Sequence, residues 1–90
     1  MKYRIVPSTK FKKDLKLIIK RGYNISLLDA VVELLANGEP LSEKYRDHAL
    51  SGNFAGCREC HITRIGCSCT LSDAELLLYL TRTGTHSDLV

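Results

Sequence analysis

The chain has 90 residues, 44% of them apolar, and 13 Lys and Arg against 10 Asp and Glu give a net charge of +3. That size supports one modest core over residues 1–90 and excludes a site built between two large domains. No apolar run approaches the ~20 residues that span a membrane, and the opening Met-Lys-Tyr-Arg-Ile-Val-Pro lacks the apolar segment of a signal peptide, so a cytoplasmic protein without a membrane partner is expected. In that compartment Cys57, Cys60, Cys67 and Cys69 are expected as reduced thiols.

Taken in order, Tyr3, Ile5 and Val6 predict a short strand that Pro7 and Ser8 bring to a halt. Ser8 or Thr9 caps a helix whose apolar positions Phe11, Leu15, Ile18 and Ile19 recur at helical spacing, and Gly22 marks its end. Lys12, Lys13, Lys16 and Lys20 fall mainly on its outer side, within a basic first quarter that suits either polyanion contact or a plain solvated face. Ser26 and Asp29 resemble a capping box for a second helix, driven by Leu27, Leu28, Val31, Val32, Leu34 and Leu35 and closed near Gly38. The two helices make a hairpin with one apolar face, which needs a sheet to cover.

Residues 38–53 are polar and turn-rich and read as a surface connection carrying Lys44, Tyr45, Arg46, Asp47 and His48. Residues 54–63 predict a strand, 65–71 a weaker one, and Ser72-Asp73 the turn into a last strand over 75–86. Its unbroken run Leu76, Leu77, Leu78, Tyr79 and Leu80 reads as a strand covered on both faces, ending in Arg82, Gly84 and His86. The expected fold is α+β, in the order β-α-α-β-β-β, with the helical hairpin packed on a small, mainly antiparallel sheet.

Two constellations carry chemistry. Cys57-Arg58-Glu59-Cys60-His61 has the spacing of a c-type haem attachment site, which goes with export and conflicts with the missing signal. Zinc could draw on the four cysteines, or on His61 in place of one, but Cys67 and Cys69 lie one residue apart and on a strand share a face without a knuckle. Free thiols are the default, and no metal or other cofactor is expected. The second constellation is His48, His61, Arg82 and His86. Each histidine alone reads better as a surface or hydrogen-bonded structural residue. Together, groups that exchange protons near neutral pH and a guanidinium that grips phosphate are equipped for phosphoryl chemistry on RNA.

The run from Tyr45-Arg46-Asp47-His48 through Ser51-Gly52-Asn53 to Cys57-Arg58-Glu59-Cys60-His61, followed by Leu71-Ser72-Asp73 and Thr81-Arg82-Thr83-Gly84-Thr85-His86, resembles the YafQ branch of the RelE/ParE toxin superfamily. The order of elements and the Lys-rich first helix agree with it over essentially the whole chain. The resemblance implies the toxin of a type II toxin-antitoxin system, a metal-independent, ribosome-dependent endoribonuclease that cuts translated mRNA in the A site through attack of the 2′-hydroxyl. It implies as partners a cognate antitoxin similar to DinJ or RelB in a heteromeric complex, the 70S ribosome and mRNA. It makes His48, His61 and His86 the candidates for acid and base work and Arg82 the group that neutralises phosphoryl charge. Lys12, Lys13, Lys16, Arg46 and Arg58 would meet RNA phosphates.

The chain departs from the branch after His61. Where relatives have a Pro-Asp-Trp segment entering an apolar strand, it reads Thr63-Arg64-Ile65-Gly66-Cys67-Ser68-Cys69-Thr70, so the Asp and Trp that the family places in its active site have no counterpart. A lost nucleotide would account for this. Removing the first base of CCG GAT TGG CTG CTC A, which encodes Pro-Asp-Trp-Leu-Leu, leaves codons for Arg-Ile-Gly-Cys-Ser, the residues from Arg64 to Ser68. Resequencing the gene tests the idea, and an unshifted Asp-Trp codon pair would make the segment a sequencing error. As it stands, the segment predicts a less stable sheet and weaker cleavage. A second functional class stays open on that account, a toxin-like module that binds its antitoxin without cutting, and a small zinc-binding module is a third.

Overall fold

The computed structural model describes residues 2–45, 48–49, 57–62 and 64–85. Ser8, extended at φ −74° and ψ 164°, opens the first helix, α1 (Thr9–Lys20), by accepting the Phe11 N–H at 2.9 Å. The same hydroxyl donates to Thr81 O at 2.8 Å, and the Ser8 N–H donates to Leu80 O at 2.8 Å. The helix is thus anchored to the last strand from its first turn.

Both helices stop by the same device. After α1, Gly22 at φ +85° donates to Ile19 O and Tyr23 to Ile18 O; after α2 (Ser26–Ala36), Gly38 at φ +75° donates to Leu35 O and Glu39 to Leu34 O. These paired bonds satisfy the last carbonyls and need a left-handed residue, which glycine adopts without strain. The expected capping box at Ser26 is not formed. Ser26 is already helical, and its N–H donates to Asn24 Oδ1 at 2.9 Å, so Asn24 does the work two residues upstream.

The strands are β1 (Arg4–Pro7), β2 (His48–Ala49), β3 (Arg58–Ile62), β4 (Ile65–Ser72) and β5 (Leu77–Thr85). They form one sheet in the order β1-β5-β4-β3-β2, parallel only between β1 and β5. The α+β architecture and the β-α-α-β-β-β order are as expected, with a two-residue strand and a 3-10 turn at Glu43–Tyr45 added within the supposed surface connection. Residues 54–56 and 63 of the strand expected over 54–63 lie outside the described residues.

The core lies between the helices and one face of the sheet. Phe11 and Ile18 from α1 and Leu28, Val31, Leu35 and Ala36 from α2 meet Cys60, Ile62, Ile65, Cys67, Cys69, Leu78 and Leu80 from the strands. The last strand is therefore covered on one face only: Leu78 and Leu80 are buried, whereas Leu77 and Tyr79 between them are half-buried. Leu76 does not belong to it. It sits in the preceding turn at φ +55°, half-exposed.

Residues 65–70 of the altered segment lie in β4. Gly66 is buried, and Ser68 and Thr70 alternate away from the helices; the core positions of β4 fall to Ile65, Cys67 and Cys69. At those core positions Cys67 and Cys69 fill less volume than leucine or isoleucine would. Burial, with the neighbouring Cys69 and Cys60 thiols adding to it, pushes the Cys67 thiol well above its ordinary range.

Candidate active site

The sheet aligns the candidate residues in two rows. Pairing runs His48 to Glu59, Glu59 to Ser68 and Ser68 to Arg82, so one line crosses β2, β3, β4 and β5. The next line on the same side joins His61, Gly66 and Gly84. Two strand spacings separate His61 from the β5 residue of its row, roughly 10 Å. His61 and Glu59 alternate with the buried Cys60 and Ile62 and so face away from the helices. Glu59 Oε1 stands 3.9 Å from His61 Nε2, too long for a hydrogen bond and close enough for an ion pair with a protonated imidazole.

Arg82 reaches the site through an irregularity. Ser68 pairs with Arg82 but Cys69 pairs with Leu80, leaving Thr81 as an extra residue in β5. A regular strand would continue the inward series Leu78, Leu80 to residue 82; with the bulge, Thr83 turns inward instead and donates from its hydroxyl to Gly66 O at 2.7 Å. The Arg82 guanidinium meets Asp14 of α1 side-on, Nε to Oδ2 at 2.6 Å and Nη2 to Oδ1 at 3.1 Å. Asp14 Oδ2 also accepts the Thr83 N–H at 3.2 Å. Such a two-point ion pair fixes the plane of the guanidinium as well as its place.

Other candidates are dispersed. Arg58 alternates with Glu59 and lies on the helix side of the sheet, half-buried in a recess of about 220 Å³ with Tyr3, Leu35 and Leu71. It is not brought together with His61. Lys12, Lys13 and Lys16 are exposed along α1, Lys12 at the rim of an apolar groove of about 270 Å³ between α1, α2 and β1. Arg46 and His86 lie outside the described residues, and of His48 only the strand position is described.

The cysteines are free thiols, three of them in the core. Cys60 lies opposite Cys67, and the half-buried Cys57 accepts from Thr70 Oγ1 at 3.4 Å. A thiol held protonated by burial is a poor metal ligand. Among the described residues no group of three or more His, Cys, Asp and Glu is placed to hold a metal ion. No helix there is long and apolar enough to cross a membrane.

Two residues escaped the sequence reading. Glu59 was legible, two positions before His61 on a strand and so on the same face. Asp14 left a fainter signal, as the only carboxylate in a helix with five lysines.

Residues 3–90 match the family described as the bacterial toxin of type II toxin-antitoxin system, YafQ. The chain is 35% identical over 83 residues to the mRNA interferase toxin YafQ of Escherichia coli K12, covering 91% of this chain and 89% of that protein. Among solved structures it is similar to a metal-bound toxin from Helicobacter pylori, with a TM-score of 0.89, 40% identity and coverage of 98% of this chain and 99% of that one. It is also similar to YafQ in the E. coli DinJ-YafQ complex, at a TM-score of 0.87, 36% identity and 97% of each chain. Matched over nearly its whole length in both sequence and fold, this chain belongs to the YafQ family of bacterial toxins of type II toxin-antitoxin systems.

Proposed function

We propose that this toxin is a ribosome-dependent endoribonuclease that cuts translated mRNA in the A site. The observation that carries the reading is the placement of Arg82, held in one plane by Asp14, one row from His61 on a sheet whose opposite face is sealed by helices. The E. coli relative's name as an mRNA interferase points the same way. In the reaction the 2′-hydroxyl gives its proton to an imidazole and its oxygen bonds to the adjacent phosphorus, while the bond to the 5′-oxygen breaks and that oxygen takes a proton. The products are a 2′,3′-cyclic phosphate and a 5′-hydroxyl. His61, with His48 and His86, serves the two proton transfers, and Arg82 balances charge that grows on the phosphoryl oxygens. Imidazole and guanidinium groups supply every part of this, so the reaction needs no metal.

Exposed Lys12, Lys13 and Lys16 would hold ribosomal or messenger RNA through phosphate contacts that weaken with salt, with Arg46 adding to them. Arg58, on the helix side, would contribute only from the edge of the sheet. The protein would act in the cytoplasm, restrained by an antitoxin similar to the DinJ bound to its E. coli relative.

One observation favours a second reading, an antitoxin-binding module that no longer cuts: the partners of His61 and Arg82 on β4 are Gly66 and Ser68, with no acid or aromatic between them. Primer extension on an mRNA translated in a purified system decides between the two. Cuts inside codons that require ribosomes are expected. A folded protein that binds its antitoxin and leaves the message intact would replace the first reading by the second.

A further inference from the structure

We propose that Asp14 is a positioning residue for cleavage, fixing the place and plane of the Arg82 guanidinium beside the scissile phosphate; this rests on the endoribonuclease reading of Arg82 given above. The inference starts from how α1 is fastened to β5. Ser8 bonds to Leu80 and Thr81, and Asp14, nearly two turns on, bonds to Arg82 and the Thr83 N–H. The helix is stitched to the strand on both sides of the bulge.

The pair does little for stability at its degree of exposure, 36% for the Arg82 side chain and 15% for Asp14. What it supplies is geometry. An unrestrained arginine side chain samples many rotamers, whereas Asp14 engages Nε and Nη2 together and is itself held by a backbone N–H. With Nε and Nη2 both engaged at the carboxylate, the plane of the guanidinium is set. Transition-state stabilisation depends on such pre-set donors, and a displacement of about 1 Å is enough to cost ~10²-fold. Asp14 is also the single acid among Lys10, Lys12, Lys13, Lys16 and Lys20, so the helix that offers lysines to RNA is the one that orients Arg82.

The test is a double-mutant cycle of Asp14→Asn and Arg82→Ala, read as single-turnover cleavage of mRNA on programmed ribosomes. It is run beside the NMR signal of the Arg82 Nε–H in the free protein. The expected result is a loss of roughly 10- to 100-fold in the cleavage rate for Asp14→Asn at unchanged half-saturating toxin concentration. No further loss is expected when Arg82 is already alanine. A resolved Nε–H signal should collapse into the bulk arginine signals in the Asn variant. An Asp14→Asn loss of the same size in both backgrounds would mean a merely structural role and overturn the proposal, as would an unchanged rate. If Arg82→Ala cuts as fast as the native chain, or the native chain does not cut at all, the cleavage reading of Arg82 falls and the positioning role falls with it; the Nε–H signal still shows whether Asp14 holds Arg82.

Discussion

Arg82→Ala is expected to slow single-turnover cleavage of ribosome-bound mRNA by about 10²- to 10³-fold, the usual effect of removing one pre-set donor from a charge that develops in the transition state. The loss should fall on the rate more than on binding, because the exposed lysines of α1 remain to hold the RNA. Arg82→Lys should restore little. An ammonium carries the charge but cannot reproduce the side-on grip on both Asp14 oxygens while presenting a second edge to the phosphate. The fold should survive both substitutions, since the pair is partly exposed and Asp14 keeps the Thr83 N–H as a partner. Full activity in a folded Arg82→Ala protein would remove Arg82 from the mechanism.

The second large effect concerns the joint between α1 and the sheet. Ile18 is completely buried, one turn beyond Asp14 and on the same side of the helix as Phe11. Ile18→Ala is expected to cost roughly 2 to 5 kcal/mol, from the lost transfer of three carbons and the cavity left behind. Domains of this kind have only about 5 to 15 kcal/mol in hand, and the small Cys67 and Cys69 side chains at core positions of β4 leave little in reserve. At roughly 4 to 8 °C per kcal/mol, the melting temperature should fall by about 8 to 40 °C. Ile19→Ala is the control: Ile19 is half-exposed on the outer side of the same helix, and its loss should stay within about 0.5 kcal/mol. Equal destabilisation of the two variants in urea titrations would mean that α1 does not dock as described.

Part of this protein can be read from residue order alone, because local rules decide it. The spacing of Phe11, Leu15 and Ile18 specifies the inner face of α1, and Gly22 and Gly38 stop the helices because a left-handed residue is needed at those two points. Ser8 caps as expected, since the capping oxygen and the N–H it receives are only three residues apart. The strings at residues 45–61 and 81–86 carry the resemblance to the family that residues 3–90 match, and being contiguous they are legible in residue order.

What residue order could not decide depends on partners far away in the chain. The capping box at Ser26 failed because Asn24 competes for the same N–H. The final strand looked buried on both faces since its leucines are contiguous, yet only tertiary packing says that the helices cover one side. The register that sets Gly66 beside His61, and Ser68 between Glu59 and Arg82, is a property of the assembled sheet. The Asp14–Arg82 pair joins residues 68 positions apart, and it forms beside a bulge at Thr81 that shifts the strand's alternation by one residue. Periodicity assigns residues to faces on the assumption of a regular strand; one extra residue breaks that assumption, and only the paired neighbour shows where.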